Sequence, residues 1–173
     1  MPTQNIRLKF DFYRRDTVIV AQELLGKTLV RHFQNGTVRR YRITETEAYC
    51  GVADLACHAS KGKTKRTKIM FHAGGYIYVY LIYGMYWLLN IVSGDEGEGS
   101  AVLIRGLDGF NGPGILGREL QLDASFYSEN LETSNRIWLE DAPPVNQYQS
   151  TPRIGINYAG EPWISMPWRF VLK

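Results

Sequence analysis

The sequence is poor in cysteine. Its two, Cys50 and Cys57, stand seven positions apart with no second pair, a spacing that suits neither a disulfide framework nor a zinc site. No apolar run reaches the ~18 residues needed to cross a bilayer, and the opening MPTQNIRLKFDF has no apolar signal core. These absences predict a protein of the reducing cytoplasm, with neither metal nor membrane among its partners. Internal repeats, low-complexity tracts and Pro/Ser-rich linkers are missing too, so 1–173 reads as a single domain. Nor is there much excess charge, with 20 Lys and Arg against 17 Asp and Glu.

Where the charge sits says more than its sum. Lys61, Lys63, Lys65, Arg66 and Lys68 crowd into eight residues, and Arg39, Arg40 and Arg42 form a second cluster. Such runs are ordinarily solvated faces. They would equally serve as a phosphate footprint, since neutralising phosphates releases counterions and supplies most non-specific affinity for DNA.

The chain alternates short elements with turns. Asp16 can N-cap a helix through Leu25, with Gly26 in the left-handed position after it. Residues 27–33 read as a strand, Asn35-Gly36 as a tight turn and 37–49 as the return strand. A mobile-looking loop rich in Gly, Lys and Thr spans 51–68. Residues 76–83 are apolar or aromatic throughout, which predicts a central strand. Strands at 87–92 and 101–107 follow, then a short helix opened by Gly112-Pro113-Gly114. The stretch 122–150 is weakly patterned, and 152–158 and 168–172 read as closing strands. The expected fold is α+β, a curved, largely antiparallel, open-barrel-like sheet with a few helices.

Charged residues break the apolar alternation in two places. Tyr41, Ile43, Glu45, Glu47 and Tyr49 are two apart and would share one strand face, which puts two carboxylates in an apolar register. A carboxylate there must be paired, hydrogen-bonded or catalytic. Arg105 likewise falls on the face of Ala101, Leu103 and Leu107. Arg105 and a strand glutamate could form a structural ion pair, or the same proximity could hold a carboxylate ionised beside a cleft. Tyr76, Tyr78 and Tyr80 form an aromatic stripe, ordinarily core, but able to stack nucleobases at a sheet rim. His58 on its own is an ordinary loop histidine.

Taken in order, LLGKTLV (24–30), ITETEAYCG (43–51), DLACHASKGKTKRT (54–67), YIYVYLIYGMYWLLNIV (76–92), AVLIRGL (101–107), GPG (112–114), PRIGI (152–156) and PWRF (167–170) resemble the alkyladenine (3-methyladenine) DNA glycosylase family of mammals and many bacteria. The resemblance covers roughly half of the chain. It implies a monomer without cofactor or metal that acts on double-stranded DNA containing damaged purines. It also implies roles: Glu47 as general base, Arg105 holding the attacking water, Tyr49 and Tyr80 as stacking walls, and His58 against the base or sugar. Asn90 would guard the pocket floor, the Ile154 backbone would accept from the water, and Tyr83 with Met85 would fill the vacated stack. Lys61, Lys63, Lys65, Arg66 and Lys68 would meet the DNA backbone. Trp87 and Gly117 depart from the family pattern, and relatives usually continue beyond the equivalent of Lys173.

The expected chemistry is base flipping followed by hydrolysis of the N-glycosidic bond by a Glu47-activated water, the first step of base excision repair. Electron-rich rings would favour cationic alkylpurines. No buried lysine offers a Schiff-base nucleophile, so the expected enzyme is monofunctional. A glycoside hydrolase using Glu45 and Glu47 as its pair is one alternative, and a non-catalytic nucleic-acid-binding module is another.

Overall fold

The computed structural model describes residues 5–173. Nine strands make one open sheet in which every strand pairing is antiparallel. They are β1 (Thr28–His32), β2 (Val38–Tyr49), β3 (Ile77–Ile82), β4 (Tyr86–Ser93), β5 (Ser100–Leu107), β6 (Phe110–Asn111), β7 (Ile137–Glu140), β8 (Tyr148–Thr151) and β9 (Arg169–Leu172). The main path runs β3-β4-β5-β2-β1-β7; β6 joins β5, while β9 joins β2 and carries β8. Among the described residues, three α-helices complete the fold: α1 (Phe10–Tyr13), α2 (Thr17–Leu24) and α3 (Pro113–Glu119). No helix of the described residues is long and apolar enough to cross a membrane.

Local chemistry sets the helix positions. The Asp16 side chain accepts from the Ile19 N–H at 3.1 Å, satisfying a first-turn donor of α2. Thr17, Val20, Ala21 and Leu24 then recur on one buried face. Gly26 follows at φ +82°; a Cβ there would run into Val145. Pro113 opens α3, where its missing N–H costs nothing. The principal core draws on residues from Leu8 to Phe170.

A β-bulge at the centre of the sheet decides which side chains face which way. In the β2–β5 ladder Ile43 opposes Leu107, Glu45 opposes Gly106 and Thr46 opposes Ile104. The register skips Thr44 on one strand and Arg105 on the other. Ile43 lies in the principal core, but beyond the bulge Ala48 takes that side, and Thr46 bonds the α2 carbonyl of Ala21. Glu45, Glu47 and Tyr49 therefore share a face as expected, but not the face of Tyr41 and Ile43. Likewise Leu107 lies in the principal core with Val102 and Ile104, parted from Ala101, Leu103 and Arg105.

Three further expectations are corrected. β3 is an edge strand, not a central one. It looked central because residues 127–131 cover its beginning: the Ile77 N–H donates to Glu129 and its carbonyl accepts from Ser128. Residues 152–158 form no strand but a turn through Gly155 (φ +75°) and a 3-10 turn, Asn157–Ala159. The 51–68 loop is internally bonded. Asp54 accepts from Cys50 and Ala56 N–H groups, and the backbone N–H of Thr64 and of Thr67 each bond the other's hydroxyl.

Candidate active site

One cleft, with a cavity of about 520 Å³, gathers Glu47, Tyr49, His58, Arg66, Tyr78, Tyr80, Tyr83, Asn90, Arg105, Ile154 and Tyr158. It opens on the face of β2 and β5 that the bulge turned away from α2. Its size is that of a small-molecule site.

Glu47 forms the floor with no exposed surface. The Ile154 N–H donates to its Oε2 at 2.6 Å and the Tyr49 hydroxyl donates to its Oε1 at 3.0 Å. Arg105 Nη1 stands 3.6 Å from Oε1. Burial raises the carboxyl pKa above its ordinary value; Arg105, the Ile154 N–H and Tyr49 pull against that rise. The Ile154 N–H thus meets the site as a donor to Glu47.

Glu45, two residues earlier, is committed elsewhere. Its Oε1 accepts from Arg105 Nε at 3.0 Å and Arg169 Nε at 2.6 Å, and it is absent from the cleft lining. Arg105 thus serves both readings of the sequence at once, pairing structurally with Glu45 and reaching Glu47 with its second nitrogen. A two-carboxylate mechanism has no second carboxylate in the cleft.

The walls are aromatic. Tyr49 stands on β2 with the Arg153 guanidinium 4.8 Å from its ring centre. Arg153 is wholly buried and forks onto Asp54, equally buried, at 2.6 and 3.0 Å. On the other side Tyr80 lies on β3, with the His58 ring 4.6 Å away and the Arg66 guanidinium 5.0 Å over it. Asn90, on β4, donates to the Tyr78 carbonyl at 3.2 Å, which fixes its amide orientation at the pocket wall.

Tyr83 and Met85 occupy the β3–β4 turn at the mouth, 85% and 63% exposed. Tyr83 holds φ +53°, a conformation unfavourable for an aromatic residue and usually kept for a local purpose. Lys61, Lys63, Lys65 and Lys68 project into solvent from the neighbouring loop. Arg66 does not behave like them, because its head is hydrogen-bonded to Tyr78 and His58. The second basic cluster is partly neutralised, with Arg39 paired to Glu119 and Arg40 to Glu140.

The sequence profile of methylpurine-DNA glycosylases (MPG) matches residues 11–110 and 107–173. The chain belongs to the methylpurine-DNA glycosylase family. A Legionella pneumophila (strain Lens) protein, provisionally named a 3-methyladenine DNA glycosylase, is 47% identical over 176 residues, covering 96% of this chain and 94% of that one. Relatives with the same provisional name occur in Methanocella arvoryzae, 43% identical over 183 residues (94% and 90% covered), and Natranaerobius thermophilus, 38% identical over 192 (97% and 96%).

Within this glycosylase family member, α3 and β4 meet at Gly117 and Trp87. Gly117 of α3 packs directly on the Trp87 carbonyl, where a Cβ could not fit. Sequence reasoning missed Arg153, Asp54 and Tyr158. The signal for the first was an arginine immediately before Ile154 in an otherwise apolar PRIGI segment; the other two gave none. Among the described residues no cluster of His, Cys, Asp and Glu could hold a metal ion.

Proposed function

We propose that the protein is a monofunctional DNA glycosylase that takes an alkylated or deaminated purine out of the duplex into this cleft and hydrolyses its N-glycosidic bond. The observation that carries the reading is Glu47, a carboxylate at the floor of an aromatic cleft, held by Arg105 and a backbone N–H.

C1′ of the deoxyribose cannot be reached inside a stacked duplex, so the nucleotide is flipped. Tyr83 and Met85 fill the space it leaves, and Tyr49 and Tyr80 stack on the extruded base. Glu47 takes the proton of a water that attacks C1′ as the bond to the base breaks. Its charge also stabilises the oxocarbenium-like sugar. Each Glu47 oxygen accepts one hydrogen bond in the free protein, which leaves a further lone pair to receive the water's proton. The solvent-facing lysines contribute affinity for phosphates.

The test is release of free base from duplexes carrying 3-methyladenine, 7-methylguanine, hypoxanthine or etheno-adenine, with alkali revealing abasic sites. Glu47→Gln should keep DNA binding and lose about 10²–10⁴-fold in base release. Unchanged release in this variant would remove Glu47 from the chemistry and favour another site altogether.

A further inference from the structure

The charged side chains lining the cleft are Glu47, Arg105 and Arg66. With Glu47 ionised the first two offset each other, and Arg66 leaves the lining one unit positive. Such a field does not attract a cationic base. The guanidinium over Tyr80 also draws on the ring electron density that would attract a cationic base.

Arg66 has a second effect, through a directional chain of hydrogen bonds. A guanidinium can only donate. Its Nε reaches the Tyr78 hydroxyl at 3.1 Å, so that oxygen accepts from Arg66 and sends its own proton to His58 Nδ1, 2.8 Å away. Arg66 Nη2 lies nearer this Nδ1, at 3.2 Å, than Nε2, at 3.5 Å. The shorter contacts assign Nδ1 as the acceptor and the ring proton to Nε2. Burial, then the Arg66 charge, lowers the His58 pKa to about 4, which keeps the ring neutral. Tyr80 packs against it, and Glu47, Arg105 and Tyr158 line the same cleft.

We propose that Arg66 is a positioning residue for base selection. Through Tyr78 it holds His58 as a neutral Nε2–H donor at the cleft, and so favours neutral purines that offer a lone pair over cationic purines. This rests on the glycosylase reading above and reverses the preference that aromatic walls alone would suggest.

The experiment compares single-turnover release of hypoxanthine, which is neutral, and 7-methylguanine, which is cationic, from otherwise identical duplexes. Wild type, Arg66→Lys and Tyr78→Phe are assayed alongside ¹⁵N NMR of the His58 ring. Lysine keeps the charge but not the two-point grip, and the exposed position tolerates it, so the test survives if Tyr78→Phe fails to fold. The ratio of hypoxanthine to 7-methylguanine release should fall about tenfold in either variant, the size of one lost hydrogen bond. The wild-type ring should show the proton on Nε2, and the variants should lose that single state. An unchanged ratio, equal losses for both bases, or a wild-type proton on Nδ1 would overturn the proposal while leaving the glycosylase reading intact. Failure of the wild type to release any damaged base would sink that reading itself.

Discussion

The two walls of the cleft present the same residue type on different foundations. Tyr49 belongs to β2 in the middle of the sheet, paired to β5 and β9, and is backed by a buried Arg153–Asp54 fork. Tyr80 belongs to the edge strand β3 and is backed by Arg66, which reaches in from an exposed loop. The buried fork is costly to disturb because either partner alone would be an unpaired charge in the interior. The edge wall is held by groups that water can replace. One wall is thus built for permanence, and the other can adjust as a base enters.

The sharpest way to break this contrast is Asp54→Asn, which strands Arg153. Denaturant unfolding should show a loss of about 3–5 kcal/mol, against about 0.5 kcal/mol or less for Arg66→Lys. Comparable losses in the two variants would mean the walls are equally rigid.

The next largest effect concerns proton affinity on the fixed side. Glu47 must be ionised to act as a base, and burial raises its pKa above the ordinary 4.5. Activity should therefore fall on acidification at a pH above that value. Removing the nearest cation by Arg105→Gln should move the acid limb to still higher pH, while Arg169 continues to hold Glu45. A limb that stays in place or moves down would detach Glu47 from Arg105.

At the adjustable rim, Tyr83→Ala should leave unfolding stability within about 0.5 kcal/mol yet weaken binding to a lesion-bearing duplex. Parallel loss of both would make the ring a packing element. The smallest effect belongs to the solvent-facing loop. Lys63→Ala should make the dependence of log affinity on log salt shallower by about one, equally for damaged and undamaged DNA.

Much of this was legible in the residues. The carboxylate and the arginine on the partner strand were found because each breaks an apolar pattern, the neighbouring tyrosine came with the family resemblance, and the helix caps at Asp16 and Gly26 follow from local chemistry. The bulge was not legible, because Thr44 and Glu45 continue an outwardly regular alternation. Only Gly106 hinted at it: a Cβ there would lie 2.8 Å from the Thr44 hydroxyl. The edge position of β3 was hidden because the sequence cannot distinguish burial by a neighbouring strand from burial under a loop. Arg66 was grouped with four lysines, since spacing alone does not reveal which cation in a run turns inward.

The slack residue between β2 and β5 has a consequence for how such a protein tolerates change. Pull that slack straight, with Thr44 and Arg105 paired in strict alternation, and the far half of the strand rolls over. The acid would then be driven among the aliphatic side chains beneath α2, and a methyl group would greet the nucleotide in its place. Register here is chemistry: a regular ladder that alters no named participant would leave a chain with every required part and no reaction.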